Sequence, residues 1–384
     1  VKRRTLLLGT AGAGALLVGW MVAPQRSRLG APGLMSAGGN GIALNGWIKI
    51  AADGGVVLAM PRSEMGQGVH TALPMLAAEE LEVPLAAVRI EQAGSDAIYG
   101  NVALLLAGLP LHPLDNESED GFGRAKAARW VVGKGARELG INATGGSTSV
   151  ADAWEVVRSA AATARASLLG AAALQWKLPV DELTVRNGVV SHASGKAASY
   201  GELARFAAAT PPGRVRLKEP KDWKLIGQPA PRLDVPAKVD GSARFGLDIR
   251  LPGMKFAAVR LCPMLGGSPG QVDAGAALRL PGAERLVLLP AYAGSTAGFA
   301  VIGKTSWHAM RAAAAVEPDW QPRPAGAVSS AAAERILETA VRTGSGFAFH
   351  SKGDVEEAEN GAARIVEAWY RAPYLAHATL EPMN

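Results

Sequence analysis

The chain has a single cysteine, Cys262, in 384 residues. One thiol excludes an internal disulfide, a tetrathiolate zinc and an iron-sulfur cluster held by this polypeptide, and leaves Cys262 the role of a small buried apolar residue. Histidine is also scarce. His70, His112, His192, His308, His350 and His377 are scattered, with no pair at helical ligand spacing, so no protein-ligated metal centre is expected. Only 19% of residues are charged while 48% are hydrophobic, which excludes general disorder and fits two or three domains with real cores. A basic stripe is lacking too. The formal charge is +6, but Lys2, Arg3, Arg4, Arg26 and Arg28 all fall within the first thirty residues, where no acid occurs, and without those five the body stands at +1. A phosphate backbone needs a dense cationic surface, so nucleic acid is excluded as a partner. No internal repeat is present, and Gly12, Ala13 and Gly14 lack the third glycine and the preceding strand of a dinucleotide fingerprint.

What the N-terminus does have is a pattern. Lys2, Arg3 and Arg4 precede Thr5, Leu6, Leu7 and Leu8 and an apolar, small-residue run to Ala23. Residues 1–24 read as a twin-arginine export signal, which carries proteins already folded and often already loaded with a cofactor. Met21, Val22 and Ala23 make a poor cleavage site, so retention as an inner-membrane anchor is an accompanying expectation, although 5–23 is marginal in length for a span. Residues 25–41, rich in Gly, Pro and Ser, read as a flexible linker.

Order is expected from about residue 45. Apolar runs at 47–50 and 56–60 flank Asp53, Gly54 and Gly55, a hairpin signal. Leu73, Leu76 and Ala77 predict a helix over 71–80, followed by a strand at 88–91. Helices are predicted over 124–139, ended by Gly140, and over the alanine-rich 150–176, with Ser149 and Asp152 in a capping arrangement. Asn187 and Gly188 predict a two-residue hairpin between 183–186 and 189–192, and Ser199 with Glu202 a capped helix to 208. The Pro-rich interval 211–236 reads as a domain boundary. Beyond it, strands are expected at 243–249, 255–261, 285–289 and 297–302, a helix at 306–316, a linker at 321–326, a helix at 331–341 and a strand at 364–370.

Two glycine-bearing loops, each leading into a helical segment, are the candidate site. The first is Glu64, Met65, Gly66, Gln67 and Gly68; the second is Thr144, Gly145, Gly146, Ser147, Thr148 and Ser149. A helix start leaves N–H donors unpaired and carries partial positive charge, so an anionic group is stabilised there, and glycine lets it approach the backbone. Both loops are expected to present amides unshielded by side chains and to converge on one ligand. Each hydroxyl could instead cap its helix; capping alone is the preferred reading for Ser149, ligand contact for Ser147.

The two loops, together with His70 to Met75, Arg232 to Gly241, Leu251 to Met254 and His377 to Asn384, resemble in order the N-terminal half of the large subunit of isoquinoline 1-oxidoreductase type enzymes, a branch of the xanthine oxidase family of molybdenum hydroxylases. The resemblance implies an α+β fold: a molybdopterin-binding domain over 42–215, a smaller α/β hammerhead-like domain over 216–325, and the start of the remaining molybdopterin-binding region over 326–384. It implies molybdenum held by the dithiolene of a molybdopterin, in a dinucleotide form, with Gly66, Gln67 (through its amide), Gly68, Gly146, Ser147, Thr148 and Ser149 along it. His377 and Glu381 are weaker candidates to line the substrate pocket, an ordinary structural role being as good a reading of each. Leu375 stands where many relatives carry a glutamine and is given no role. The implied reaction oxidises aldehydes or N-heteroaromatics with water as the oxygen source. Its catalytic base, a glutamate, is expected beyond Asn384. The family's glycine-rich Gly-Gly-Gly-Phe-Gly-Arg-Arg stretch is also missing, so the chain reads as a fragment or as one half of a split subunit, inactive alone. Electrons must then leave through partners, a small subunit carrying two [2Fe-2S] clusters and a cytochrome c, at the periplasmic face. The alternative is a non-catalytic, membrane-tethered binding or assembly protein that keeps the fold.

Overall fold

The computed structural model of the chain describes residues 19–20, 23–24, 27–35, 41–111, 123–326, 329–344, 346–347 and 352–375. It divides into two units, Val1–Ala243 and Arg244–Asn384.

In the first unit, β1 (Gly41–Ala43), β2 (Ile48–Ala51), β3 (Val56–Met60) and β4 (Val88–Gln92) form one sheet in that order. The predicted hairpin is β2 and β3, turned by Gly54 at φ +83. β4 pairs parallel with β3 through the crossover helix α1 (Val69–Leu81), with Val56 opposite Val88 and Met60 opposite Gln92. After α2 (Val102–Ala107) and α3 (Arg124–Leu139) comes the long α4 (Ser149–Trp176). Gly140 ends α3 in the left-handed region, as its position predicts. One face of α4 carries Val157, Ala160, Ala161, Ala164, Leu168, Ala171 and Ala172, spaced three and four apart and fully buried. Those short side chains let α1 lie close along it, where Leu73, Leu76, Ala77 and Leu81 join the same core. A three-stranded meander follows, β5 (Thr184–Arg186), β6 (Val189–Ser191) and β7 (Ala197–Ser199), with Asn187 and Gly188 both at positive φ in the turn. Helix α5 (Tyr200–Ala208) starts with the predicted Ser199–Glu202 capping box. The short α6 (Val235–Asp240) closes the unit.

Two expectations fail here for the same physical reason: a polar side chain reaching from the body ties down chain whose composition reads as loose. The Pro-rich stretch after 215 is not the boundary. Buried Glu79 accepts from Lys218 Nζ at 2.7 Å and from the amides of Lys224, Leu225 and Ile226, and Glu80 pairs with Arg158 at 2.8 Å, so 216–226 is fastened to α1 and the division falls at 243/244. Within the supposed linker 25–41, residues 27–35 also lie on the body. Trp47 Nε1 donates to the Arg28 carbonyl at 2.7 Å, the Gly46 amide donates to the Leu29 carbonyl, and Met35 is buried.

In the second unit, β8 (Phe256–Leu261), β10 (Ala283–Leu289) and β11 (Gly298–Gly303) form an antiparallel sheet in the order β10-β11-β8, and β9 (Ser268–Val272) pairs with β12 (Pro318–Gln321). Phe299 and Val301 pack against Ala312 and Ala313 of α8 (Ser306–Ala314) and Ala277 of α7 (Gly275–Leu278). Helices α9 (Ser330–Thr343) and α10 (Val355–Asn360) complete the described elements. No strand forms at 243–249, where a turn of 3-10 helix stands at Gly246–Asp248, or at 364–370, which has no regular secondary structure and pairs with no strand among the described residues. Alternation of apolar residues licenses a strand only where an edge is free to receive it. Together the two units make an α+β architecture. Among the described residues no helix is long and apolar enough to cross a membrane.

Candidate functional site

Strand β3 runs out at Met60 into the first glycine loop, and the segment after α3 delivers the second to the start of α4. The Ser63 amide donates to Thr144 Oγ1 at 2.9 Å, joining the bases of the two loops. Between them lies a cavity of about 420 Å³ lined by Met65, Gln67, Val69, Ala72, Thr144, Gly145, Gly146, Ser147, Ser149 and Val150. The structure thus brings both candidate loops to one cavity. A larger groove, about 710 Å³, runs along α4 past Arg165, Leu169 and Arg214 and includes none of the candidate residues.

The loops differ in how their amides are used. In the first, the expectation of unshielded donors is wrong. The Glu64 carboxylate accepts from the amides of Gly66 at 2.8 Å, Gly68 at 2.9 Å and His70 at 3.0 Å, so it caps α1 from within the loop. Gly66 and Gly68, at φ +100 and +86, bend the chain back far enough for one carboxylate to reach all three. Gln67 is turned inward as well, its Oε1 accepting from Met65 N at 2.6 Å and its Nε2 donating to the Ser63 carbonyl at 2.9 Å. Arg232 then clasps the loop, donating to the Gly66 carbonyl at 2.8 Å and lying 3.3 Å from Glu64 Oε1, while Leu233 N donates to Thr71 Oγ1. Desolvation pushes the Glu64 carboxyl up, but the three amides and Arg232 outweigh it and leave its pKa below the ordinary value.

The second loop is open. Gly146 and Ser147 are consecutive left-handed residues, φ +59 and +56, and both are exposed just before α4 begins. Among the described residues the amides of Gly146, Ser147, Ser149 and Val150 have no acceptor. No side chain caps this helix. Its N-cap is Thr148, whose buried hydroxyl donates to the Gly145 carbonyl at 2.8 Å and accepts from Asn101 Nδ2 at 2.8 Å. Two readings fall with that: Thr148 has spent its hydroxyl on the loop and faces the interior, and Ser149 and Asp152 make no cap. A Cβ at Gly66, Gly68 or Gly145 would meet nothing within 4 Å, so each of these backbones faces open space.

Asp152 faces away from the cavity and is 2% exposed. Its carboxylate takes Arg62 at 2.7 Å, Arg28 at 2.8 Å and the amides of Val102 and Ala103 at the start of α2. Arg62, fully buried, also donates to Asn142 Oδ1 and the Tyr99 carbonyl, each at 2.8 Å. Burial pulls the Arg62 pKa down and the Asp152 charge opposes it. This network fixes residue 62, residue 142 and the first turn of α4 relative to one another, and so sets the spacing of the loops. Sequence reasoning missed Arg28, Arg62, Asn101 and Arg232; for Arg232 the signal was present, since its own block was one of those singled out. His377 and Glu381 lie outside the described residues. Among the described residues no group of three His, Cys, Asp or Glu side chains is placed to hold a metal ion.

Residues 11–103 match the molybdopterin cofactor-binding domain family. Over 73% of its length the chain is 33% identical to the beta chain of isoquinoline 1-oxidoreductase from Brevundimonas diminuta, covering 35% of that protein. It is 28% identical, over 88% of its length, to a membrane-bound aldehyde dehydrogenase [pyrroloquinoline-quinone] of Gluconacetobacter polyoxogenes, covering 40% of it. It is 26% identical, again over 88%, to one of the subunits of nicotinate dehydrogenase from Pseudomonas putida, covering 25% of it. The chain therefore spans between a quarter and two fifths of the length of these relatives. The chain is thus similar to the molybdopterin cofactor-binding domain family across the first loop and, across most of its length, to these oxidoreductases, as the resemblance of its motifs to the molybdenum hydroxylases implies.

Proposed function

We propose that the chain is the cofactor-binding part of a molybdenum hydroxylase large subunit that oxidises aldehydes or N-heteroaromatics. The observation that carries this is the shared cavity with open amides on one wall. The residues fit an anionic pterin: the wall offers N–H donors, Gly145 with its Cβ position open, and the positive end of a 28-residue helix. The amides of Gly146, Ser147, Ser149 and Val150 would hold the cofactor, with Met65 and Gln67 of the first loop lining the same cavity. Gln67 contributes shape, since its amide is engaged within the loop. When bound, the molybdenum cofactor supplies the transfer of a water-derived oxygen and the uptake of two electrons. This chain's residues position the cofactor and keep its donors from being satisfied by the protein itself. The name of the aldehyde dehydrogenase relative specifies a quinone, also an anion; the molybdopterin-domain match favours molybdopterin here.

The finer reading follows the relatives' names and the leader. Aldehydes are the first choice of substrate and isoquinoline-like or nicotinate-like rings the second. The catalytic base is a glutamate of the remainder of the large subunit, the second unit is the α/β hammerhead-like domain, and the cofactor carries a nucleotide. Electrons pass through a [2Fe-2S] subunit to a cytochrome c. The complex is exported folded by the twin-arginine route to the periplasm, with the leader retained as an anchor.

The test is Gly146→Val in the complex co-expressed with its neighbouring subunits. A Cβ there meets Leu104 Cδ1 at 3.3 Å, and the branched side chain is strained at φ +59. Bound molybdenum, by elemental analysis, is expected to fall at least about tenfold, with substrate-dependent dye reduction falling in proportion. Unchanged molybdenum would remove this site, and a wild-type complex without molybdenum would favour the tethered, non-catalytic reading.

A further inference from the structure

Arg28 belongs to a stretch that composition reads as linker, yet its side chain is 10% exposed and every donor on it is placed. Nε donates to the Ile98 carbonyl at 3.1 Å, NH2 to the Gly100 carbonyl at 2.6 Å and to Asp152 Oδ2 at 2.8 Å, and NH1 to Asp152 Oδ1 at 3.2 Å. Its backbone is pinned by Trp47 Nε1. Arg28, Arg62 and Asp152 thus form a buried cluster of two cations and one anion. The anion sits in the first turn of α4, three residues after Ser149, about 5 Å along the axis from it at the usual helical rise. A carboxylate there would oppose any anion held at the start of the helix. Two guanidinium groups reverse that and leave one positive charge in excess. Glu155 and Arg137, which line the groove beside Arg28, are exposed, solvated and of opposite sign.

We propose that Arg28 is a positioning residue of the cofactor cradle: from behind α4 it supplies the positive charge that Asp152 leaves uncompensated, and so raises the affinity of residues 144–151 for an anionic group. The proposal rests on the reading of that loop as the cradle. It makes residues 27–35 part of the site, placed by the fold before any ligand arrives. A buried charge is screened far less by salt than a surface one, so its effect persists at physiological ionic strength.

The experiment uses the full chain without cofactor, inorganic pyrophosphate as the probe, and the amide resonances of Gly146, Ser147 and Val150 as the readout. In wild type these shift and saturate. Arg28→Gln weakens the affinity about tenfold, the order expected for loss of one partly buried charge near the site. Arg28→Lys, which keeps the charge and loses the bidentate geometry, restores it to within about threefold. Absent shifts in wild type overturn the cradle reading itself. Saturable wild-type binding with equal affinity in R28Q overturns the role of Arg28 alone, as does an R28K affinity as weak as that of R28Q. If R28Q does not fold, the rise in melting temperature that pyrophosphate gives R28K decides: a rise equal to wild type supports the charge, and no rise overturns it.

Discussion

The two glycine loops look alike in sequence and end up in opposite states. The Glu64 loop is closed on itself, its amides at Gly66, Gly68 and His70 taken by one carboxylate and that at Met65 by Gln67. The Gly145 loop, across the same cavity, keeps its donors free. The difference traces to where the nearest acid lies. Glu64 is two, four and six residues ahead of the amides it caps, within reach once two glycines fold the chain back. The acid nearest to the second loop, Asp152, is three residues inside the helix and is drawn away by Arg28 and Arg62. A glycine-rich turn before a helix is therefore an anion site only where no neighbouring carboxylate has filled it.

The largest expected effect comes from removing what holds both loops. Asp152→Ala leaves two buried guanidinium groups without their carboxylate and two α2 amides without an acceptor. Urea unfolding should show a loss of about 3–5 kcal/mol; a loss under 1 kcal/mol would mean that the network does not set the loop spacing. Glu64→Ala is next, at about 2–3 kcal/mol, with faster amide exchange at 66–70 and none of that change at 145–151. Matching changes in both loops would erase the contrast.

Acid sharpens the same contrast. The Glu64 pKa is lowered in the folded chain, so its contribution is fully present above the unfolded value of about 4.3 and is lost as pH falls through the folded value. Exchange protection at 66–70 should decay in acid, below the ordinary glutamate range, ahead of the second loop, which holds no titrating group of its own, and Glu64→Gln should remove that decay. Equal acid sensitivity in the two loops would contradict the assignment. The smallest effect is at Ser147, a non-glycine residue at φ +56. Ser147→Gly should raise stability by about 0.5 kcal/mol, because relief of the left-handed strain slightly exceeds the entropy that glycine loses. A destabilisation would show that the Ser147 side chain does more than sit at the rim.

Much of the first unit was legible because its signals are local. The Asn187 and Gly188 turn, the Ser199–Glu202 box, the Gly140 stop and the helix beginning beside Ser149 are each written within a few residues. What escaped depends on partners distant in sequence. Arg28 finds Asp152 across 124 positions, and Glu79 finds Leu225 across 146. Nothing near Arg28 distinguishes a docked segment from a linker, and nothing in the Pro-rich stretch reveals that two buried glutamates will claim its amides. The site was legible in the same measure: the loops could be named, but their unequal state turns on the rotamer of Glu64 and the direction of Asp152, which sequence does not carry.

The most direct measurement is hydrogen exchange of the large subunit in its co-expressed complex, prepared with and without molybdate in the growth medium. Loading should strongly protect the amides of Gly146, Ser147, Ser149 and Val150 and leave those of Gly66, Gly68 and His70 almost unchanged, since Glu64 already holds them. Protection confined to 66–70, or equal in the two loops, would contradict the claim that the second loop alone offers its donors to the ligand.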